Sequence, residues 1–206
     1  MKNKIRGSFK SLFFYTSIII PLDQSAWQHI QFGKIKANLI TYPKNQISIQ
    51  VNKSSSFLVH PLNEEILISE ISISGSTSGD IEKSLEDSLL KIGLIVPGSK
   101  RLSGPKSWFA KKWIKKVYKL APKGKGLDHL EMFVATTNKE TIGSNRVHPA
   151  SDFFTENFVF EIKKNKEFKL THKLKTKVKT MALWLSADGD NTKSKFQTVI
   201  KSLELK

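Results

Sequence analysis

Three side-chain oxygen donors lie close together near the C-terminus of the sequence. Asp188, Asp190 and Asn191 fall within four residues that follow an apolar segment. Oxygen ligands of this kind are what a calcium ion prefers, although the spacing is not that of an EF-hand loop. Asp and Asn also form tight turns between strands, because their side chains bond their own backbone. The stretch therefore predicts a turn first, with a calcium site at Asp188, Asp190 and Asn191 as the alternative.

Lysines recur with a period of two in a segment slightly earlier in the chain. This lysine row consists of Lys169, Lys173, Lys175, Lys177 and Lys179. Thr171 fills the gap in the row, and apolar residues occupy most of the alternate positions. Because same-face residues of a strand are about 6–7 Å apart, the row predicts a strand face that binds a polyanionic chain. The alternative is that the lysines protect an exposed edge strand and keep the protein soluble.

Catalytic motifs are mostly absent. The sequence has no Gly-rich phosphate loop, no Gly-x-Ser-x-Gly elbow and no His-Glu-x-x-His motif, and its five histidines lack metal-ligand spacing. A glycosidase needs two carboxylates about 5–9.5 Å apart, and such a pair could form only through tertiary contact. We therefore predict no catalytic residues and favour a protein that is not an enzyme. A hydrolase acting on a cell-envelope polysaccharide is the alternative.

Composition narrows the classes of protein further. The 206-residue chain carries 34 Lys and Arg against 18 Asp and Glu, a formal net charge of +16, and has no cysteine. The lack of cysteine excludes disulfides, thiolate metal sites and a Cys nucleophile. Only three of the basic residues are arginine, the side chain that contacts phosphate and guanine in bidentate fashion. Sequence-specific nucleic acid binding is therefore disfavoured, and an anionic glycan or lipid headgroup is the expected partner.

The N-terminus has the layout of a secretory signal peptide. Residues 1–10 are basic, and residues 11–22 are mostly apolar but fall short of the ~20 residues of a membrane-spanning helix. Ala26 suits the last position before a cleavage site. We therefore predict a signal peptide over residues 1–26, a mature domain over residues 27–206 and a periplasmic or secreted location. An uncleaved anchor or a first strand is the alternative.

Alternating apolar and polar residues dominate the rest of the chain. About ten stretches show this pattern, and turn-forming clusters separate several of them. Four of these stretches, each predicted as a separate strand, are residues 55–60, 65–74, 167–174 and 178–187. This predicts an all-β protein, a two-sheet antiparallel β-sandwich of jelly-roll type. In the last strand the apolar phase slips after Ile200, which predicts a β-bulge near Lys201 and Ser202.

One segment departs from the alternation. Residues 106–120 place apolar side chains at helical spacing and lysines on the remaining arc, and Pro105 and Pro122 bracket them. This predicts a basic amphipathic helix inserted into the sandwich. Its apolar side either packs on a sheet or contacts an anionic membrane surface through Trp108 and Trp113. After signal cleavage no other segment is long enough to cross a membrane.

The C-terminal segment resembles a family motif. Residues 182–196 contain an apolar strand and an Asp-x-Asp-Asn-Thr turn, and a final strand ends at Leu205. This arrangement resembles the C-terminal signature of an uncharacterised family of exported bacterial proteins, and residues 51–58 and 87–95 fit the same likeness. The layout is also similar to galactose-binding-like jelly rolls, the scaffold of many carbohydrate-binding modules. The resemblance implies a fold more than a function, because sandwiches host many roles.

Together these patterns predict an exported binding protein. An anionic envelope glycan or a lipid headgroup would bind the lysine row, and Trp184 on a concave sheet face would stack on a sugar ring. A non-enzymatic accessory envelope protein with a protein partner is a further alternative, for which an exposed apolar patch at Trp108 and Phe109 would be the sign. If the turn at residues 188–191 and the lysine row share one rim, they form one site; if they lie at opposite ends, they form none.

Overall fold

Strands make up most of the computed structural model, which describes residues 17–82, 85–102, 112–121, 125–148 and 153–206. In these residues the strands are β1 (Ile18–Ile19), β2 (Gln28–Gln31), β3 (Leu39–Thr41), β4 (Ile47–Asn52), β5 (Ser55–Asp80), β6 (Ser88–Gly98), β7 (Gly126–Thr136), β8 (Asn145–Val147), β9 (Phe154–Glu161), β10 (Glu167–Asp188) and β11 (Lys195–Leu205). The α-helix α1 spans Lys112–Tyr118, and short 3-10 helices span Gln24–Ala26, Pro43–Asn45 and Lys139–Thr141. The prediction of an all-β protein with one inserted helix is confirmed.

All strands belong to one continuous hydrogen-bonded sheet. Its order is β3-β4-β11-β5-β10-β6-β7-β9-β8, with β1 beside β11 and β2 beside β5. The pairs are antiparallel except for β7 and β9, which run parallel. The two long strands β5 and β10 pair from Glu167 opposite Ser76 to Asp188 opposite Ser55. The segments that we expected to be four separate strands are therefore two, each passing through the whole molecule.

The sheet folds back on itself as two stacked layers. The first layer contains β2, residues 55–68 of β5, residues 178–188 of β10, and β6 to β9; the second contains β1, β3, β4, β11 and the remaining parts of β5 and β10. The register of β10 against β5 is irregular between Lys173 and Val178, where the chain passes from one layer to the other. Each layer is thus one half of the predicted jelly-roll-type sandwich, and β5 and β10 join the two without a break.

Contacts between the layers show where the main core lies. The ring of His172 in the second layer is 5.1 Å from that of Phe133 on β7 and 5.9 Å from that of Phe160 on β9. Thr198 on β11 donates a hydrogen bond of 2.8 Å to the carbonyl of Leu89 on β6. Alternate apolar residues of both layers fill the space between these contacts. The expected bulge is confirmed, since the register of β11 shifts between Ile200 and Ser202.

A second apolar cluster lies on the outer face of the first layer. It includes Phe57, Trp184 and Phe154, and α1 packs on it with Val117 buried and Trp113 half-buried. The apolar side of the helix therefore covers a sheet, as one of the two expectations had it. The expected start of the helix at 106–111 lies outside the described residues. No helix in the described ranges is long and apolar enough to cross a membrane.

The N-terminal segment is part of the folded structure from Ser17 onward. Ile20 and Leu22 are 3% and 7% exposed and belong to the main core. The Ile20 amide donates to the Leu203 carbonyl at 2.9 Å, and Trp27 Nε1 donates to the Pro21 carbonyl at 2.8 Å. Residues 17–26 thus contact the rest of the described fold, and cleavage after residue 26 stays a prediction. An apolar signal segment and an apolar edge strand have the same composition, which is why the sequence left both interpretations open.

Candidate functional site

Three carboxylates meet where β10 ends and β6 begins. Asp188 is the last residue of β10 and pairs with Ser55 on one side and Ser88 on the other. Asp190 follows in the turn, and Asp87 immediately precedes β6. One carboxylate oxygen from each lies within 4.8 Å of the others. We call Asp87, Asp188 and Asp190 the acidic group.

Asp87 ties the turn to the start of β6. Its carboxylate accepts hydrogen bonds from the Thr192 amide at 2.7 Å, the Asn191 amide at 3.3 Å and the Thr192 hydroxyl at 2.5 Å. Asn191 contributes its backbone N–H to Asp87, and its side chain as a calcium ligand stays a prediction. Sequence reasoning missed Asp87 because it is about 100 positions away. The one feature of the sequence that could have indicated Asp87 is its position directly before an apolar run.

The surroundings of Asp188 favour its neutral form. Burial raises the pKa of Asp188 to about 7, with the charges of Asp190 and Asp87 adding to the rise and Lys91 opposing it. Asp188 Oδ1 is buried and has no hydrogen-bond partner. Three carboxylates this close repel one another unless a proton or a cation relieves the repulsion. The group can therefore hold a proton on Asp188 or a hard cation such as Ca²⁺, for which carboxylate oxygens are suitable ligands.

A buried ion pair lies next to the acidic group. Lys91 Nζ is 3.0 Å from Glu156 Oε1 and 3.9 Å from Asp188 Oδ2. Arg146 Nε donates to Glu156 at 2.8 Å, and its Nη1 donates to Glu86 at 3.0 Å. Burial acts to raise the pKa of Glu156, but the charges and hydrogen bonds of Lys91 and Arg146 outweigh it and lower the pKa. Glu156 is therefore held as a carboxylate inside the protein.

The spacing of the acidic group lies near the lower end of that of a glycosidase. One oxygen from each carboxylate is within 4.8 Å of the others, while the two carboxyl groups of a glycosidase are about 5–9.5 Å apart. A cavity of 520 Å³ lies elsewhere and is lined by Glu82, Glu161, Lys163 and other residues. Asp87, Asp188 and Asp190 do not line that cavity. No observation on the described residues favours the hydrolase alternative.

The lysine row stays on one solvent-facing side of β10. All five lysines are exposed, while Phe168, Leu170, Leu174 and Val178 at alternate positions contact the core. Lys169 pairs with Ser74, Lys173 with Glu70 and Lys179 with Leu67, so the row continues through the bend between the layers. Within the described part of the chain, residues 167–173 of β10 pair with β5 on one side and with no strand on the other. This part of the row is therefore a sheet edge, which leaves the edge-protecting role of the lysines open as well.

A band of hydroxyl groups lies beside the lysine row. We call it the serine face; its members are Ser72, Ser74, Ser76 and Ser78 on β5, Ser202 on β11 and Thr171 on β10. The hydroxyls of Ser72 and Thr171 are hydrogen-bonded at 3.0 Å, and those of Ser74 and Ser202 at 2.6 Å. The sequence alone did not indicate that the serines of β5 belong to a polar surface. The pattern that could have indicated them is the alternation of serine with Ile71, Ile73 and Gly75 along β5, which is typical of a strand with one polar face.

The acidic group and the lysine row do not share a rim. Asp188 is nine residues beyond Lys179 on the same strand, a separation of about 30 Å at the rise of an extended chain. The rest of the row lies farther along β10, in the second layer. The described residues therefore do not combine the two features in the single site that a shared rim would imply.

Trp184 is not on an open concave face. It is 3% exposed, and its ring stacks on that of Phe57 with centroids 3.5 Å apart and planes 9° apart. The ring of Trp113 on α1 lies 6.4 Å away and covers the pair, and Trp184 Nε1 donates to Ser186 at 2.9 Å. Trp184 is thus part of the second apolar cluster. Trp108 and Phe109, the expected apolar patch, lie outside the described residues.

Comparison with known proteins gives a distant structural likeness. No family model matches the chain, and no curated protein matches it in sequence. Among solved structures, a xylan-binding module, CBM15, is similar with 12% identity and a TM-score of 0.40, over 92% of this chain and 95% of that one. The proposals that follow therefore depend on the surfaces of this chain.

Proposed function

We propose that this protein is an exported, non-enzymatic binding protein that holds an acidic glycan of the cell envelope on its lysine row. The observation that carries the proposal is the exposure of all five lysines on one continuous strand face. Alternate positions of a strand place these charges about 6–7 Å apart. An extended polyanion can contact such a row along its length, whereas a single headgroup would contact one or two of the lysines.

Two glutamates of β5 lie beside the lysine row. Glu65 lies 3.2 Å from Lys179, and Glu70 is opposite Lys173. Both glutamates also pair with further lysines, Lys125 and Lys206 respectively. Each of these carboxylates is therefore shared between two lysines, and the formal net charge of +16 of the chain attracts anionic polymers.

Lysine rather than arginine suits a glycan with separate carboxylates. An ammonium group acts as a compact point charge with three donors, while a guanidinium favours bidentate contact with phosphate. Of the 34 basic residues in the chain, three are arginine. We therefore favour a carboxylated glycan over a phosphate-bearing lipid headgroup as the ligand.

Retention of the full chain on immobilised polymers tests the proposal. The probes are polygalacturonate, lipopolysaccharide, peptidoglycan and neutral xylan, each at low and high salt, with anionic vesicles as the lipid probe. A variant with all five lysines of the row changed to Gln is compared with a control in which five exposed lysines elsewhere are changed to Gln. The control positions are Lys34, Lys36, Lys112, Lys116 and Lys119.

We expect salt-sensitive retention on an acidic glycan, an affinity at least about tenfold lower in the row variant, and little change in the control. Equal losses in both variants would show that net charge alone causes retention. No retention on any acidic glycan would refute the proposal. Retention on vesicles alone would identify a lipid headgroup as the ligand instead.

A further inference from the structure

The serine face adjoins the lysine row on the same solvent-facing surface. Ser74 pairs directly with Lys169, and Ser72 pairs with Thr171, the residue that fills the gap in the row. Side chains opposite each other on neighbouring antiparallel strands have Cβ atoms about 4.5–5.5 Å apart. A chain that contacts Lys169 and Lys173 therefore also reaches the hydroxyls of β5. Ser202 extends the same surface to β11.

The strand itself does not require serine at these positions. On the buried side of β5, Ile71 and Ile73 supply the packing that holds the second layer to the core. On the solvent side, β-branched and aromatic residues favour strands more than small polar residues do. Ser72, Ser74 and Ser76 lie between β10 and β11, inside the layer and not at its edge. Protection of an edge therefore does not explain them, and a role in binding does.

The hydroxyls of the serine face are held in place and keep bonding capacity. Each hydroxyl has one donor hydrogen and two acceptor lone pairs. The pairs Ser72 with Thr171 and Ser74 with Ser202 use only part of this capacity. Because the groups lie on a hydrogen-bonded sheet, a ligand that binds them loses little protein conformational entropy.

We infer that the serine face and the lysine row form one binding surface whose ligand is a uronate-class polysaccharide, a chain that carries both carboxylates and free hydroxyls. This inference rests on the proposed function and makes its ligand specific. Lysines pair with the carboxylates, and serine hydroxyls exchange hydrogen bonds with the sugar hydroxyls in both directions. A polyphosphate chain offers acceptors only, so it would use the lysines and the serine O–H donors and leave the acceptor lone pairs of the serines unused.

The test compares two polyanions on three proteins. Affinity for polygalacturonate and for inorganic polyphosphate is measured with the full chain, with Ser72→Ala/Ser74→Ala/Ser76→Ala, and with a control triple, Ser25→Ala/Ser99→Ala/Ser144→Ala, at exposed serines elsewhere. We expect the first triple variant to lose about tenfold in affinity for polygalacturonate and much less for polyphosphate, because the serines can only donate to phosphate oxygens. The control triple should bind both polymers as the unchanged protein does.

A second variant separates a binding role from a folding role. Changing the same three serines to Thr keeps the hydroxyls and favours the strand, so this variant should bind polygalacturonate as the unchanged protein does. If the Ala triple binds polygalacturonate as well as the unchanged protein does, while the variant with the five lysines changed to Gln loses affinity, this inference is overturned. The proposed function would then still hold. Equal losses for both polymers would also overturn this inference. Failure of the unchanged protein to bind any acidic glycan would overturn both proposals.

Discussion

Lys91 Nζ lies 3.0 Å from Glu156 Oε1, and the two side chains are 6% and 0% exposed. Arg146 bonds the other carboxylate oxygen of Glu156 at 2.8 Å. A buried charge of this kind is tolerated only when its partners are in place, because desolvation of an unpaired ion is costly. The pair therefore links β6 to β9, through the same Lys91 that faces Asp188.

Removing the carboxylate at Glu156 should destabilise the protein strongly. Glu156→Gln leaves Lys91 and Arg146 without their buried anion, and we expect a loss of about 3–5 kcal/mol in the free energy of unfolding. Urea denaturation measures it. The control is Lys139→Ala, which removes an exposed pair with Glu161 at 3.5 Å and should cost less than about 1 kcal/mol. Similar small effects of both changes would contradict the structural role given to Glu156.

The raised pKa of Asp188 predicts a stability that falls as pH rises. In the folded protein Asp188 keeps its proton up to about pH 7. In the unfolded chain it loses the proton near pH 3.8, the usual pKa of an aspartate. The folded state thus binds more protons between these values, and the contribution of Asp188 to stability decreases from pH 4 to pH 7. Asp188→Asn should match the unchanged protein near pH 4 and be more stable at pH 8. Thermal melting across this range measures the difference, and parallel pH profiles would contradict the prediction.

Calcium binding by the acidic group is a second proposal about this region. Calcium at millimolar concentration should raise the melting temperature at pH 8, and Asp190→Asn should abolish the increase. Asn191→Ala should leave it intact, because Asn191 bonds Asp87 through its backbone amide, which the change keeps. Loss of the effect in Asn191→Ala would instead support the ligand set expected from the sequence. No shift in the unchanged protein would refute the proposal.

The contacts of residues 17–26 predict their contribution to stability. A chain starting at Trp27 loses the burial of Ile20 and Leu22 that a chain starting at Ser17 keeps. Burial of two aliphatic side chains contributes about 1.5–3 kcal/mol each, so we expect a loss of about 3–6 kcal/mol. Chemical denaturation of both chains measures it. Equal stabilities would favour a boundary after Ala26.

The burial of Trp184 predicts a structural effect without loss of binding. Trp184→Ala should cost about 3–5 kcal/mol in stability, because its ring stacks on Phe57 beneath Trp113. The milder variant Trp184→Phe should stay folded and keep the affinity for polygalacturonate. A selective loss of glycan affinity in this folded variant would restore the stacking role that the sequence suggested.

Local patterns predicted much of the fold. Alternation located most strands, the phase slip after Ile200 located the bulge, and the odd-numbered positions from 169 to 179 proved to share an exposed face. These features depend on backbone geometry within a few residues. The continuity of β5 and β10 was not predicted, because the polar residues around the bend have the composition of a turn.

The sequence by itself determined which side chains share a face of a strand. Successive side chains of an extended backbone point to opposite faces, and this alternation is a local property. Only the tertiary structure decided what covers each face. It brought Asp87 to Asp188 across about 100 residues, placed Trp113 over Trp184, and set Ser74 opposite Lys169. Pairing between distant strands and the packing of one layer on the other are non-local, and no window of the sequence contains both partners.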